Sequence, residues 1–263
     1  YYVSFMMVNY IRIKFFFFLL SFFPLEINAL DVPDVKARPY IKQTPFSDVF
    51  QQIKKQNWVM AIKLADDHNN QALSSYIRWL DITRPGSKHN FKYLVDFFEN
   101  HKNWPKKEVL IEKIESSINK DIPTDLLFNW FEKNPPQTSK GSIDQLEVLI
   151  KNNSSFDKRK LISKIWIEKN LTSSQQTYFI KKYSRYWTQD DNWKRFNRLM
   201  IEGKTFSARK TLNRIKGDKR KLGEARLGLS RRSPNVSELI RNVPMQLKND
   251  SDLIYERMRW RRK

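Results

Sequence analysis

Side chains able to do chemistry are few, and their spacing suits little of it. No cysteine occurs among the 263 residues, which removes thiol nucleophiles, disulfides, thiolate zinc sites and iron–sulfur clusters. The three histidines, His68, His89 and His101, lack metal-ligand spacing and stand in polar, loop-like surroundings, where solvated surface is the expected state. There is no Gly-rich phosphate loop and no Gly-x-Ser-x-Gly elbow, while sequence order leaves open a Ser-His-Asp set assembled in space. Nothing points to a nucleotide, flavin or metal, so no cofactor is expected. Asp66-Asp67 and Asp190-Asp191 are adjacent carboxylates. Neighbours on a helix diverge by about 100°, and both pairs fall where helices start or end, so caps and solvated turns are their expected roles. A single enclosed carboxylic acid suffices for general-acid work, so spacing alone leaves a lone Asp or Glu open.

Charge is the stronger signal. The chain has 49 Lys and Arg against 28 Asp and Glu, a formal charge of +21. From Lys194 to Lys263 there are 21 Lys and Arg against 7 Asp and Glu, so about two thirds of the excess lies in the last 70 residues. A polyanionic partner or an acidic working surface follows; the plainer role is a solvated face of long side chains over helices. Arg195, Arg198, Arg231, Arg232 and Arg259 are the candidates for pairing with ligand carboxylates. Of 8 tryptophans, Trp58, Trp79, Trp104, Trp130, Trp166 and Trp193 fall on or beside apolar stripes and read as core. Trp187 and Trp260 are less constrained, and Trp187 is the candidate for stacking on a ligand.

The elements that must hold these residues are helices. Before them, residues 1–29 have the layout of a secretory signal: Arg12 and Lys14, an apolar run from Phe15 to Leu25, then Ile27-Asn28-Ala29. Met6 or Met7 is the expected start, Ala29 the expected cleavage point, and an uncleaved anchor the alternative. Residues 30–46 read as an extended leader with Pro33, Pro39 and Pro45. Over 47–263 apolar residues recur at spacings of 3 and 4, and strand-like alternation is scarce. Ser47 is the expected cap of a helix bearing Val49, Phe50 and Ile53, and Thr188 of one bearing Trp193, Phe196, Leu199 and Met200. Breaks are expected at Arg84-Pro85-Gly86, Asn134-Pro135-Pro136, Gly203, Gly217 and Ser233-Pro234. About a dozen short helices on short loops stack more readily as hairpins than around one core. The fold class is therefore all-α: an α-solenoid or superhelix of stacked hairpins, tetratricopeptide-like with irregular repeats.

Several pieces fall in a familiar order: Asn103-Trp104-Pro105; Trp130-Phe131 with Pro135-Pro136 and Gly141; Asp191 to Met200; Glu202-Gly203; Ala208-Arg209; and the ending Leu253 to Lys263. From about Ser47 onward the chain resembles soluble lytic murein transglycosylases of the alphaproteobacterial type. The resemblance implies an exported, periplasmic protein acting in peptidoglycan cleavage between N-acetylmuramic acid and N-acetylglucosamine, with a helical superhelix ahead of a lysozyme-like catalytic domain. Only the superhelical part is matched. The family's catalytic glutamate stands in a Glu-Ser pair followed by Gly-Leu-Met-Gln, and that second motif is absent. Glu115-Ser116 is the one Glu-Ser pair, inside an amphipathic stretch, and reads as coincidence. No catalytic residue is expected in this chain, and peptidoglycan strands or stem peptides are the expected partner. The alternative is an exported, non-enzymatic helical-repeat scaffold that binds an envelope protein or polymer. The signal segment disfavours nucleic acid, and no membrane span is expected once it is cleaved.

Overall fold

A computed structural model describes residues 46–262. Among the described residues there are fourteen α-helices, two short 3-10 turns and no strand, and no helix is long and apolar enough to cross a membrane. The expected signal segment and the leader up to residue 45 lie outside the described residues. The chain divides into two compact units between Leu64 and Ala65.

The first unit contains α1 (Ser47–Lys54) and the start of α2 (Trp58–Asp67). Val49 and Ala61 are fully buried. Ser47 is the first helical residue and not the cap; Phe46 takes that position with a left-handed backbone and without a side-chain capping bond. At α2 it is Asn57 that caps, its Oδ1 accepting the Met60 N–H at 3.3 Å.

The second unit runs through α3 (Gln71–Thr83), α4 (Phe91–Asn100), α5 (Lys107–Ser117), α6 (Thr124–Lys133), α7 (Ser139–Lys151) and α8 (Lys158–Glu168). It continues with α9 (Ser173–Tyr183), α10 (Gln189–Ile201), α11 (Thr205–Leu212), α12 (Gly217–Arg231), α13 (Val236–Arg241) and α14 (Ser251–Arg261). Contacts skip one helix at a time: α3 packs on α5 and α5 on α7. After α7 folds directly onto α8, the rule resumes with α8 on α10, α10 on α12 and α12 on α14. The helices between complete the hairpins, α4 with α5, α6 with α7, α11 with α10 and α12, and α13 with α12. This is the stacked-hairpin architecture expected of the sequence, with the apolar residues gathered in a row of four clusters.

Local chemistry sets the ends. Asn70, Asn90, Thr138, Asp157, Thr172, Thr188 and Asp250 each accept a backbone N–H of the first turn. Thr188 and Asp191 form a reciprocal capping box, as Thr172 and Gln175 do. The expected cap role of Asp191 is thus present. Asp66 instead grips Arg78 through two bonds of 2.7 Å, and Asp190 faces Lys194 at 2.9 Å and Lys219 at 3.3 Å. At the end of α10, Gly203 has φ 71°, and the bonds Lys204 N–H to Leu199 O and Gly203 N–H to Met200 O close a Schellman turn.

One carboxylate ties α7 to α9. Glu147 Oε1 accepts from the Tyr178 and Tyr183 hydroxyls, each at 2.6 Å, and Oε2 meets Lys182 Nζ at 2.6 Å. Burial pushes the Glu147 carboxyl up, yet bonds from Lys182, Tyr178 and Tyr183 outweigh it and hold the group below its ordinary value of 4.5. A depressed folded-state value means the stabilisation is present above the unfolded value and lost as pH falls through the folded one. Asp144 nearby has the opposite sign, raised mainly by burial. Comparing the urea midpoint at pH 7 and pH 3.5 for the wild type and Glu147→Gln isolates the first effect. The wild type is expected to lose more stability on acidification; equal losses would show that the clamp contributes nothing.

Candidate functional site

Glu115 lies on α5 and is fully buried. Its Oε1 accepts the Gln137 N–H at 2.8 Å, and its Oε2 accepts the Thr138 N–H at 2.8 Å together with the Thr138 hydroxyl. Thr138 is the cap of α7 and in turn accepts the Gly141 N–H at 2.9 Å. Glu115 is therefore a structural acceptor locking the start of α7 onto α5, with both oxygens turned inward. The sequence reading took the Glu115-Ser116 pair as coincidence, and this structural role was not legible in it.

The histidines differ from the solvated surface expected of them, except for the exposed His68. His101 is half-buried, its ring stacked on Phe97 with centroids 4.2 Å apart, its Nδ1 2.8 Å from Phe97 O and its Nε2 3.0 Å from Ser75 Oγ. His89 is half-buried with Nε2 3.3 Å from Asp81 Oδ2, and Ser87 is close by in sequence. No Ser-His-Asp relay results. The Ser87 hydroxyl donates to Ile82 O at 2.6 Å, and Lys113 Nζ donates to Ser87 Oγ, Ser87 O and Arg84 O at 2.9–3.1 Å. A Lys113 side chain with its donors spent in this way closes a loop; it does not activate a nucleophile. Among the described residues no group of His, Asp and Glu could hold a metal ion.

The six candidate ligand-binding residues separate by position. Arg195 is 1 % exposed. Its guanidinium lies 4.3 Å from the centre of the Trp166 ring and donates to Trp166 O and to Lys169 O, the latter at 3.1 Å. Those carbonyls end α8, where no N–H of the helix can reach them. Arg198 does the same, donating to Ile167 O at 2.5 Å and Asn170 Oδ1 at 3.0 Å while pairing with Glu202 at 2.6 Å. Burial pushes Arg195 down to about 10, which leaves it charged at neutral pH. These two arginines cap a neighbouring helix, Arg195 from a buried position and Arg198 from a half-buried one. Arg259 is exposed on α14 and pairs with Glu256 at 3.3 Å. Trp187, Arg231 and Arg232 border open cavities.

Trp187 is half-buried, stacked on Trp166 with centroids 4.4 Å apart and interplanar angle 6°, and beside Phe179 at 5.8 Å. It lines a cavity of about 840 Å³ between α9, the start of α10 and the α11–α12 turn. Ser173, Gln176, Thr177 and Gln189 supply hydroxyls and amides, while Lys210, Arg214 and Lys216 supply charge, and no carboxylate lines the space. These three cations form no ion pair among the described residues; Lys210 lies 4.7 Å over the Phe206 ring. Arg231 and Arg232 border a second cavity of about 570 Å³, with Arg209 and Glu224. Sequence reasoning missed Arg209, Lys210, Arg214 and Lys216, although one signal was available: no acid occurs between Glu202 and Asp218. Such walls can hold an anionic, hydroxyl-rich ligand by charge-assisted bonds.

No family model, no curated protein and no solved structure matches the chain.

Proposed function

We propose that this chain is the non-catalytic helical part of an exported lytic murein transglycosylase, and that it holds the anionic cell-wall strand on which a separate catalytic domain acts. One observation carries the binding half of this reading: the cavity at Trp187 is bordered by three cations without acidic partners and by no carboxylate. Stem peptides of murein bear carboxylates, and its sugars bear hydroxyls and amides that suit the Ser, Thr and Gln side chains of the same walls. The order of motifs from Asn103-Trp104-Pro105 to the Arg-rich ending supports the family assignment, and the stacked hairpins suit it.

Exposed ion pairs are worth only about 0 to 1 kcal/mol each, so binding is collective and salt-sensitive. Protein incubated with purified sacculi is expected to co-sediment at 0.1 M salt and to be released toward 1 M, as the Debye length falls from about 10 Å to about 3 Å. The triple change Lys210→Gln, Arg214→Gln, Lys216→Gln is expected to lower the bound fraction severalfold, and no anhydromuropeptides are expected by mass spectrometry. Binding that persists at 1 M and survives the substitutions would defeat the reading, as would released anhydro sugars.

The second reading, a scaffold for an envelope protein, has its own observation. On α14, Ile254, Tyr255 and Met258 are exposed on one face, at the i, i+1, i+4 spacing of a helix-docking stripe. Cross-linking in intact cells that captures one protein through α14, with no sacculus binding, would favour it.

A further inference from the structure

We infer that the two cation-lined cavities form a single track for a linear anionic saccharide, joined at Asn213. Asn213 lines both cavities; it is the exposed residue just after α11, with an amide that both donates and accepts. On one side stand Lys210, Arg214 and Lys216, on the other Arg209, Arg231 and Arg232. None of these six forms an ion pair among the described residues. Glu224, the one carboxylate on the walls, is taken by Arg220 Nε at 2.9 Å and so cancels little of this charge. Six like charges gathered without counter-charge repel one another, and an anion laid along them removes that repulsion.

The two ends differ in chemistry. The first cavity offers hydroxyls, amides and the edge of a stacked indole, which suit sugar rings; the second offers guanidinium forks, which suit carboxylate or phosphate. α12 connects them: it follows Lys216, ends at Arg231 and has 15 residues, about 22 Å at roughly 1.5 Å per residue. A ligand touching both ends is therefore an extended oligomer and not a single sugar. An RNA strand is the poorer fit, because stacking needs successive free aromatic platforms, and the first cavity presents only Trp187, already stacked on Trp166 and Phe179. The inference rests on the murein reading only for the source of the strand; its chemistry is shared with phosphorylated polysaccharides.

Calorimetric titration of the full chain tests it, with peptide-bearing murein glycan fragments of one to four disaccharides, neutral chitooligosaccharides of equal length, a phosphorylated polysaccharide and poly-U. Affinity is expected to rise about tenfold or more from one to four disaccharides, as a tethered second contact gains effective concentration, with neutral chains binding far more weakly. Arg214→Gln with Lys216→Gln, and separately Arg231→Gln with Arg232→Gln, are each expected to remove most of that gain. Asn213→Trp, filling the join at an exposed position, should leave short fragments bound and strip the advantage of long ones; circular dichroism checks that helices persist. Length-independent affinity, or silence of either pair, would overturn the track while sacculus binding left the murein reading intact. Tighter binding of the phosphorylated polysaccharide than of murein would keep the track and overturn the murein reading. Poly-U binding tighter than either glycan would overturn the saccharide assignment.

Discussion

Replacing Glu115 with alanine is expected to destabilise the second unit by about 3 to 5 kcal/mol, because the Gln137 and Thr138 N–H groups and the Thr138 hydroxyl would all lose their acceptor at a site closed to water, at about 1 to 3 kcal/mol for each orphaned group. For a unit of this size that corresponds to a fall in Tm of roughly 6 to 20 °C, read by urea or thermal unfolding. Gly141 supplies the internal control. A Cβ there would overlap the Glu115 carboxylate, so Gly141→Ala alone is expected to cost about 1 to 3 kcal/mol by overpacking. In the double variant the carboxylate is gone and the methyl has room, so the two losses should fall well short of adding. Additive losses, or a loss below about 1 kcal/mol for Glu115→Ala, would show that the carboxylate does not organise the start of α7.

Arg195→Met is the second large effect expected, about 2 to 4 kcal/mol. Methionine keeps most of the apolar stem against Trp166 but removes every donor, leaving Trp166 O without its guanidinium partner, while Lys169 O keeps the Leu171 N–H at 3.1 Å. Two opposing effects meet here. A buried cation with no acid beside it costs solvation, while partial negative charge gathers at the C-terminal carbonyls of α8 and favours a guanidinium. The site is closed to water, so loss of the donors is expected to win. Because Trp166 carries both Arg195 and Trp187, the near-ultraviolet dichroism of the tryptophans should change too. A variant as stable as the wild type would mean that desolvation of the cation cancels its bonds, and that a plain apolar side chain serves equally well there.

Much of the scaffold was readable from periodicity and end signals. The expected breaks at Arg84-Pro85-Gly86, Asn134-Pro135-Pro136, Gly203 and Ser233-Pro234 all fall between helices, and Thr188 caps α10 as expected. Gly217 is different: it opens α12, a helix whose apolar face was not legible. That helix is rich in charge and carries Gly223 and Gly228 where side chains would give the stripe away. The structure shows why they are small: a Cβ on Gly223 would overlap Leu212, and one on Gly228 would meet Leu239. Close packing of α12 on its neighbours thus erases the pattern by which a helix is recognised.

The binding residues were harder, for a reason that applies beyond them. Arg195 and Arg198 look like surface cations because a sequence shows which groups carry charge, not which neighbouring helix ends need donors. The carbonyls that claim them lie nearly thirty residues away, at the end of α8. Arg226 repeats the lesson, buried over Trp193 and Phe196 with Asn197 and Asp252 as partners. The cations left over for a ligand are those without such an obligation, at the α11–α12 turn and at the end of α12.

Contact by next-but-one neighbours has a mechanical consequence. With the apolar residues divided into four clusters along the second unit, each hairpin answers mainly to the pair on either side, and small rotations at successive interfaces can add up without tearing any one of them. Such a body bends as a spring does, spreading strain over many soft joints. A rigid single-core domain pulled from one end has to break before it yields, whereas a stack of this kind can follow the pull and return.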